Sequence, residues 1–167
     1  MTIAVYAGTF DPITIGHADI ALRAASMFEK VIVALPITSA KSTMFTPAER
    51  AKFIVETFKD VPNIEVSHYD GFTVHYAKAH KATVLVRGLR AMSDFEYELQ
   101  IAHFNRHLDP TIETVFLTAK SDHTFISSTM IREMIRLGSN VGPFVPWPVA
   151  NEVSVRQARA KALHGKA

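Results

Sequence analysis

Five short apolar runs alternate with helical patterns along this chain, and that alternation constrains its fold more than any other feature. The runs are rich in β-branched residues and comprise Ile3 to Tyr6, Val31 to Leu35, Ile64 to His68, Thr83 to Val86 and Thr114 to Leu117. Each is nearly continuous in its hydrophobicity, as expected of strands that are covered on both faces. The sequence therefore predicts an α/β fold built on a single doubly wound, five-stranded parallel sheet with helices on both faces.

The composition excludes several classes of protein. A net charge of +2, from 18 Lys and Arg against 16 Asp and Glu, is too small to indicate a nucleic-acid or membrane partner. The absence of cysteine rules out disulfides and thiolate metal sites, and it suits a cytoplasmic location. The N-terminus lacks the basic region of a signal peptide, and the longest uncharged run, 137–151, is too short to cross a bilayer.

Three segments carry helix start signals. The segment Thr46–Glu49 is a capping box with proline at the first helical position, and Ser93–Glu96 predicts a second capping box. A third helix is predicted to begin at Ser127 and Ser128 and to end at Gly138. Because neither serine has Glu or Gln three residues later, we expect the hydroxyls and N–H groups here to be free for a phosphate chain. The alternative is ordinary serine capping.

The first strand is followed by a glycine-containing turn and then a helix, in the segment Ala7–His17. Such a turn brings backbone N–H groups and the positive end of a helix dipole to one place, which favours an anion such as phosphate. Thr14 and His17 are three residues apart, so we expect them to share a face and point at one ligand. The alternative is a tight strand-to-helix connection in which Gly8 and Gly16 serve the backbone only.

Cationic side chains follow several of the predicted strands. Because ligands of an open parallel sheet bind outside the carboxyl ends of its strands, we expect these side chains to converge on one edge. They are His17, Lys41, Arg87 and Arg90. Such a site favours polyanions, and we expect two phosphorylated ligands together. The alternatives are that Lys41 is a solvated charge and that one of the arginines pairs with Asp94 or Glu96.

Several motifs of other enzymes are absent. The sequence has no Walker A signature, no Gly-x-Gly-x-x-Gly fingerprint and no nucleophile elbow. His103 and His107 are four residues apart, but the glutamate of the metalloprotease motif is missing, so solvated helix histidines are favoured over zinc ligands. The chemistry that remains is group transfer assisted by positioning and charge rather than by covalent attack.

Six segments spread over nearly the whole chain carry a resemblance to a known family. They are Gly8–Thr14 with Gly16-His17, Met44–Thr46 with Glu49-Arg50, Val86–Arg90, Asp94–Glu98, Asn105-Arg106 and Phe125–Thr129. In these segments the chain resembles the bacterial phosphopantetheine adenylyltransferases, nucleotidyltransferases with a His/Thr-x-Gly-His signature. The resemblance implies one Rossmann-like nucleotidyltransferase domain over residues 1–167, with a C-terminal helix from about residue 149.

The reaction implied by the resemblance is transfer of AMP from ATP to 4'-phosphopantetheine, giving dephospho-coenzyme A and pyrophosphate with Mg²⁺ present. It would be an in-line displacement at the α-phosphate without a covalent intermediate. His17 would stabilise the transition state, and Lys41 and Arg90 would be further catalytic residues.

The resemblance also implies which residues bind the two substrates. Those for ATP are Thr9, Phe10, His17, Gly88, Leu89, Arg90, Glu98, His123, Thr124, Phe125, Ile126, Ser127, Ser128 and Thr129. Those for phosphopantetheine are Thr9, Lys41, Thr73 and Arg87. The departures from the family's pattern, at Ala7, Ser42-Thr43 and His75, bear on the details of the pantetheine pocket rather than on the reaction.

The family would further lead one to expect a cytoplasmic homohexamer with feedback inhibition by coenzyme A, and no nucleic-acid or membrane partner. Three alternatives stay open at this point. The first is a sister nucleotidyltransferase with another acceptor, such as nicotinamide mononucleotide, or one using CTP with a polyol phosphate. The second is a non-catalytic module that binds a nucleotide or coenzyme A, and the third is an RNA-binding protein.

Overall fold

A computed structural model describes residues 2–37 and 42–164. Its strands are β1 (Ile3–Ala7), β2 (Lys30–Pro36), β3 (Ile64–Tyr69), β4 (Val84–Leu89) and β5 (Glu113–Thr118). Its α-helices are α1 (Ile15–Met27), α2 (Pro47–Thr57), α3 (Thr73–Ala79), α4 (Met92–Leu108), α5 (Ser128–Arg136) and α6 (Trp147–His164). No helix among the described residues is long and apolar enough to cross a membrane.

The five strands form one parallel sheet in the order β3-β2-β1-β4-β5. The chain steps outward from β1 to β3, returns, and places β4 on the other side of β1. The strand order therefore reverses between β1 and β4, and a crevice opens there at the carboxyl ends of the strands. The predicted doubly wound parallel sheet is confirmed.

The sheet is covered on both faces, as the continuous apolar strands predict. Alternate residues of β1 point to opposite sides: Tyr6 joins the core cluster that contains α1, α2, α5 and α6, whereas Val5 joins the cluster that contains α3. Because successive side chains of a strand point to opposite faces of the sheet, each strand contacts one layer of helices with one face and the other layer with its other face. This packing holds the connecting helices in place on both faces of the sheet.

Two predicted boundaries are wrong. The fourth strand does not end at Val86 but continues through Leu89, because Arg87, Gly88 and Leu89 all pair with β5. Helix α4 begins at Met92 after the N-cap Ala91, which makes no side-chain cap hydrogen bond, so Ser93–Glu96 is not a capping box.

The other helix signals are confirmed. Thr46 caps α2 and forms a reciprocal capping box with Glu49, and Pro47 occupies the first turn. Ser127 caps α5, whose C-terminal Gly138 has a φ of +71°, a conformation that glycine adopts without a Cβ clash.

Candidate active site

A cavity of about 450 Å³ opens where β1 and β4 end. Its lining comes from β1 and the turn after it, the start of α1, the end of β4, the first half of α4 and the segment before α5. The cavity lies at the crevice where the strand order reverses, which is where open α/β sheets bind their ligands.

The first turn of α1 holds His17 in one orientation. Thr14 is the N-cap, and its Oγ1 accepts a hydrogen bond from the His17 backbone N–H at 3.3 Å. In return, the Thr14 backbone N–H donates to His17 Nδ1 at 3.1 Å. Histidine thus takes the place that glutamate usually has in a capping box. Because Nδ1 accepts, the neutral ring carries its hydrogen on Nε2, and that N–H can donate to a ligand in the cavity.

Phe10 supports the His17 ring from the side. The two rings meet edge to face with centroids 5.2 Å apart, and Phe10 is buried with a left-handed φ of 47°. Gly8 allows this arrangement, since a Cβ at Gly8 would lie 2.9 Å from the Phe10 ring. Phe10 therefore contributes to the site mainly by packing against His17.

His17 is held in its neutral form. Burial lowers the pKa of His17 from 6.5 to about 4, and the nearby charge of Arg90 acts in the same direction. A neutral imidazole can donate a hydrogen bond to an anion without having to be protonated first.

We expect the His17 ring of the unliganded protein to stay neutral from pH 8 to about pH 5. Below about pH 6.5 the unfolded chain binds a proton at His17 that the folded chain does not. The free energy of unfolding therefore decreases as the pH is lowered from about 6.5 to about 4. An NMR titration checks the ring, with His17→Asn identifying its signals. Denaturation at pH 7 and pH 5 should show a smaller loss of stability in His17→Asn than in the wild type. Equal losses would contradict the prediction.

Arg87 forms a bidentate ion pair with Glu98 across the cavity. Its Nε donates to Glu98 Oε2 at 2.6 Å, and one of its terminal nitrogens donates to Oε1 at 2.8 Å. The other terminal nitrogen donates to the Ala7 carbonyl at 3.2 Å. The guanidinium is therefore fixed at the end of β1, which is also where the cavity begins.

Arg90 is held by Asp94, which is the pairing considered as an alternative for one of the two arginines. The Asp94 carboxylate accepts hydrogen bonds from the Arg90 backbone N–H and from two guanidinium nitrogens, at 3.1 to 3.2 Å. Both residues line the cavity, so the pairing orients Arg90 there. Asp94 is absent from the predicted site residues. Its position four residues after Arg90 is a sequence signal for an ion pair between the two side chains.

The N-terminus of α5 also faces the cavity, but its hydroxyls are already engaged. Ser127 Oγ accepts from the Met130 N–H at 3.1 Å, and Ser128 Oγ donates to the Pro12 carbonyl at 2.9 Å. The expectation that these hydroxyls are free is therefore wrong. The N–H groups of Ser128 and Thr129 have no acceptor within their own helix, and these groups, with the helix dipole, are what the segment can offer a phosphate.

A second cavity of about 260 Å³ lies beside the first. Arg87 and Ala7 line both cavities, so the Arg87–Glu98 pair stands at the boundary. The second cavity is lined largely by apolar side chains, including Phe72, Ile101 and Phe104, with Thr73 and Asn105 as polar groups.

The predicted site residues are distributed over these two cavities. The lining of the larger one includes Thr9, Phe10, His17, Arg87, Gly88, Arg90, Glu98, His123, Ile126, Ser127, Ser128 and Thr129. Thr73 lines the smaller one, whereas Leu89, Thr124 and Phe125 line neither. Lys41 lies outside the described residues. In the described part of the chain, no group of three or more His, Asp or Glu side chains could hold a metal ion.

Sequence reasoning missed two buried charges beneath the larger cavity. Asp11 and Arg50 are 3% and 1% exposed. The Asp11 carboxylate accepts from the backbone N–H groups of Met44 and Phe45, and Arg50 donates to the Thr9 carbonyl at 2.6 Å. These contacts join residues more than thirty positions apart, so no local sequence signal could have found them.

Comparisons with known proteins agree with this geometry. Residues 5–134 match the cytidylyltransferase-like family. Curated relatives named phosphopantetheine adenylyltransferase include proteins from Thermosynechococcus vestitus, 46% identical over 90% of both chains, and from Aromatoleum aromaticum, 45% identical over 95% of this chain and 97% of the relative. A third, from Coxiella burnetii, is 46% identical over 94% of this chain and 98% of the relative.

Among solved structures, a protein from Vibrio parahaemolyticus that is provisionally assigned as a nicotinate-nucleotide adenylyltransferase matches with a TM-score of 0.67. The match covers 92% of this chain and 99% of that protein at 18% identity. At this level of identity the match supports the fold alone.

Proposed function

We infer the activity of this chain from the family to which it belongs. It is a member of the cytidylyltransferase-like family and, within it, of the phosphopantetheine adenylyltransferases. It transfers the adenylyl group of ATP to 4'-phosphopantetheine, and the products are dephospho-coenzyme A and pyrophosphate. The chain acts as one nucleotidyltransferase domain in the biosynthesis of coenzyme A.

The observation that carries the mechanism is the convergence of donors in the larger cavity. His17 in α1, Arg87 in β4, Arg90 directly after β4 and the first turn of α5 line the same space of about 450 Å³. Each offers N–H groups, and two are fixed cations, so the cavity suits a triphosphate chain. We assign this cavity to ATP.

The acceptor needs no general base. A phosphate monoester is already anionic near neutral pH, so its oxygen is a competent nucleophile once its repulsion from ATP is screened and its approach is in line. The reaction then forms one bond from the acceptor oxygen to the α-phosphorus and breaks the bond to pyrophosphate, with no covalent enzyme intermediate. Fixed donors stabilise the charge that develops on the phosphoryl oxygens.

The roles of individual residues follow from their positions. The Nε2–H of neutral His17 donates to an α-phosphoryl oxygen and stabilises the transition state. Arg90, held by Asp94, stabilises the leaving pyrophosphate together with the N-terminus of α5. Thr9, which lines the larger cavity, binds the acceptor phosphate, and the family's pattern assigns Lys41 to the same group.

The smaller cavity suits the pantetheine arm. The arm is a flexible chain of amides and methylenes, and this cavity combines apolar walls with the polar groups of Thr73 and Asn105. Arg87 lines both cavities and therefore lies where the acceptor's phosphate end would meet ATP.

Further proposals rest on the family. Mg²⁺ enters bound to the phosphates of ATP, a mode that does not need a dedicated cluster of protein ligands. The protein works as a homohexamer in the cytoplasm, and coenzyme A inhibits it by feedback.

Pyrophosphate release tests the activity. With ATP and Mg²⁺, we expect release when 4'-phosphopantetheine is added, and none with nicotinamide mononucleotide or without an acceptor. Mass spectrometry should find dephospho-coenzyme A. Release only with nicotinamide mononucleotide would contradict the acceptor and keep the reaction class, whereas ATP binding without release would contradict catalysis.

A further inference from the structure

Asp11, a buried carboxylate in the turn after β1, contacts two other segments of the described chain: the one that leads into α2, and α5. It follows Thr9 and Phe10 in the turn after β1. Its two carboxylate oxygens accept the backbone N–H groups of Met44 and Phe45 at 2.8 and 2.9 Å. These two residues belong to the short segment that leads into α2.

The third segment is α5. Arg132 donates from a terminal nitrogen to the Asp11 backbone carbonyl at 2.7 Å, and the same nitrogen lies 3.7 Å from the Asp11 carboxylate. The other terminal nitrogen of Arg132 donates to Thr129 Oγ1 at 3.1 Å. Asp11 and Arg132 therefore tie the first turn of α5 to the turn after β1.

Neighbouring contacts reinforce the same junction. Arg50, buried beneath the turn, donates to the Thr9 carbonyl at 2.6 Å, and Ser128 Oγ donates to the Pro12 carbonyl at 2.9 Å. On the far side, the Arg156 guanidinium lies 4.8 Å from the centre of the Phe45 ring. The segment that Asp11 holds is thus clamped between the turn and α6.

We propose that Asp11 is a positioning residue that sets the distance between the acceptor-phosphate side and the nucleotide side of the site. By the roles proposed above, Thr9 belongs to the acceptor side and the first turn of α5 to the nucleotide side, and both line the larger cavity. The 42–46 segment lines neither cavity but directly follows Lys41 in the chain. In-line transfer is sensitive to small displacements between the reacting groups, so one rigid carboxylate joining both sides controls the rate. This inference rests on the function proposed above.

Asp11→Asn tests the proposal with little change of volume. An amide retains one oxygen but turns an NH₂ group toward a backbone N–H, so one of the two anchors of the 42–46 segment is lost. We expect kcat to fall by about 10- to 100-fold and the acceptor KM to rise about tenfold. A purely structural loss would lower the folded fraction and kcat but leave the KM of the folded enzyme unchanged.

Asp109→Asn is the matched control. Asp109 is also buried, and it accepts from the Thr111 N–H and hydroxyl and pairs with Lys78, but it lies at the opposite end of the sheet, before β5. We expect it to lose thermal stability while keeping kcat and both KM values within about twofold of the wild type. Equal kinetic effects of the two substitutions would overturn the proposal.

Arg132→Lys provides a second variant that leaves the carboxylate in place. Lysine keeps the charge but cannot bridge Asp11 and Thr129 at once, so kcat per folded enzyme should fall by about tenfold with an unchanged acceptor KM. The folded fraction, measured by circular dichroism, should match that of the wild type, which distinguishes this result from a structural loss. If Asp11→Asn fails to fold, a wild-type kcat in Arg132→Lys overturns the proposal. Failure of the proposed function is seen separately, because the wild type would then release no pyrophosphate with 4'-phosphopantetheine.

Discussion

Replacing His17 by alanine is expected to lower kcat by about 10³-fold, the loss typical of removing a fixed donor that stabilises transition-state charge. ATP affinity should weaken by less than about tenfold, because the ground state loses only one neutral hydrogen bond. The reason lies in the capping geometry: Thr14 fixes the ring through Nδ1, so the Nε2–H is pre-oriented and does not reorganise during the reaction. Single-turnover kinetics together with calorimetric ATP binding separate the two effects.

The matched control is His107→Ala. His107 is an exposed residue of α4 that does not line either cavity. We expect its kcat and ATP affinity to match those of the wild type. Weaker ATP binding with an unchanged kcat in His17→Ala would show that His17 binds the ground state and the transition state equally, and would remove it from the transition-state role.

The orientation of His17 depends mainly on the backbone of Thr14. Thr14 is buried and supplies both a hydroxyl and a backbone N–H to His17, so a substitution by alanine removes only the hydroxyl contact. The backbone N–H still fixes Nδ1. The catalytic geometry therefore rests on a backbone group that no substitution at this position other than proline can delete.

Much of the fold could be predicted because the strands are locally encoded. Continuous runs such as Val31–Leu35 can be buried only on both faces, and four of the five predicted strands agree with the structure to within about one residue at each end. The fourth strand was the exception. Arg87 and Gly88 have the chemistry of a loop, and only their pairing with β5 keeps them in the strand.

The helix starts show the same division between local and tertiary effects. Thr46 was predicted correctly because Pro47 and Glu49 supply two reinforcing local signals. Ser93 carries a similar pattern, but α4 begins at Met92, two residues earlier than a cap at Ser93 would give, and the Asp94 carboxylate in its first turn accepts from the Arg90 N–H.

The candidate site divides in the same way. The expectation that His17, Arg87 and Arg90 lie together needed only the rule that carboxyl ends of parallel strands share an edge. The contacts that set their orientation could not be predicted, because Glu98 and Asp11 reach their partners through the packing of separate elements. Sequence patterns thus predicted where the cationic side chains of the site lie, but not the hydrogen bonds and ion pairs that hold them in fixed orientations.

Arg87→Ala is expected to have the second largest effect, raising the acceptor KM by about 100-fold and lowering the free energy of unfolding by about 2 kcal/mol. The guanidinium and the Glu98 carboxylate are mostly buried, with side chains 27% and 13% exposed. Removing one partner leaves the other charge uncompensated in a poorly solvated place. Steady-state kinetics at saturating ATP and urea denaturation measure the two effects.

An exposed ion pair offers the control for this prediction. Arg106 and Glu113 are 2.6 Å apart, but their side chains are 61% and 58% exposed, so Arg106→Ala should leave the acceptor KM unchanged and cost little stability. If Arg87→Ala instead raised the ATP KM and left the acceptor KM unchanged, Arg87 would belong to the nucleotide side of the boundary.

The double variant Arg87→Ala with Glu98→Gln separates two effects on the acceptor phosphate: the attraction by Arg87 and the repulsion by Glu98. In the single variant the acceptor phosphate loses a cation and also meets a freed carboxylate at the boundary of the two cavities. Neutralising Glu98 removes only the second effect, so we expect the acceptor KM of the double variant to recover by about tenfold, the gain from removing one like charge in a partly buried site. An unchanged KM would mean that the acceptor does not sense Glu98. The ion pair would then act by fixing the Arg87 guanidinium in place rather than by masking a negative charge.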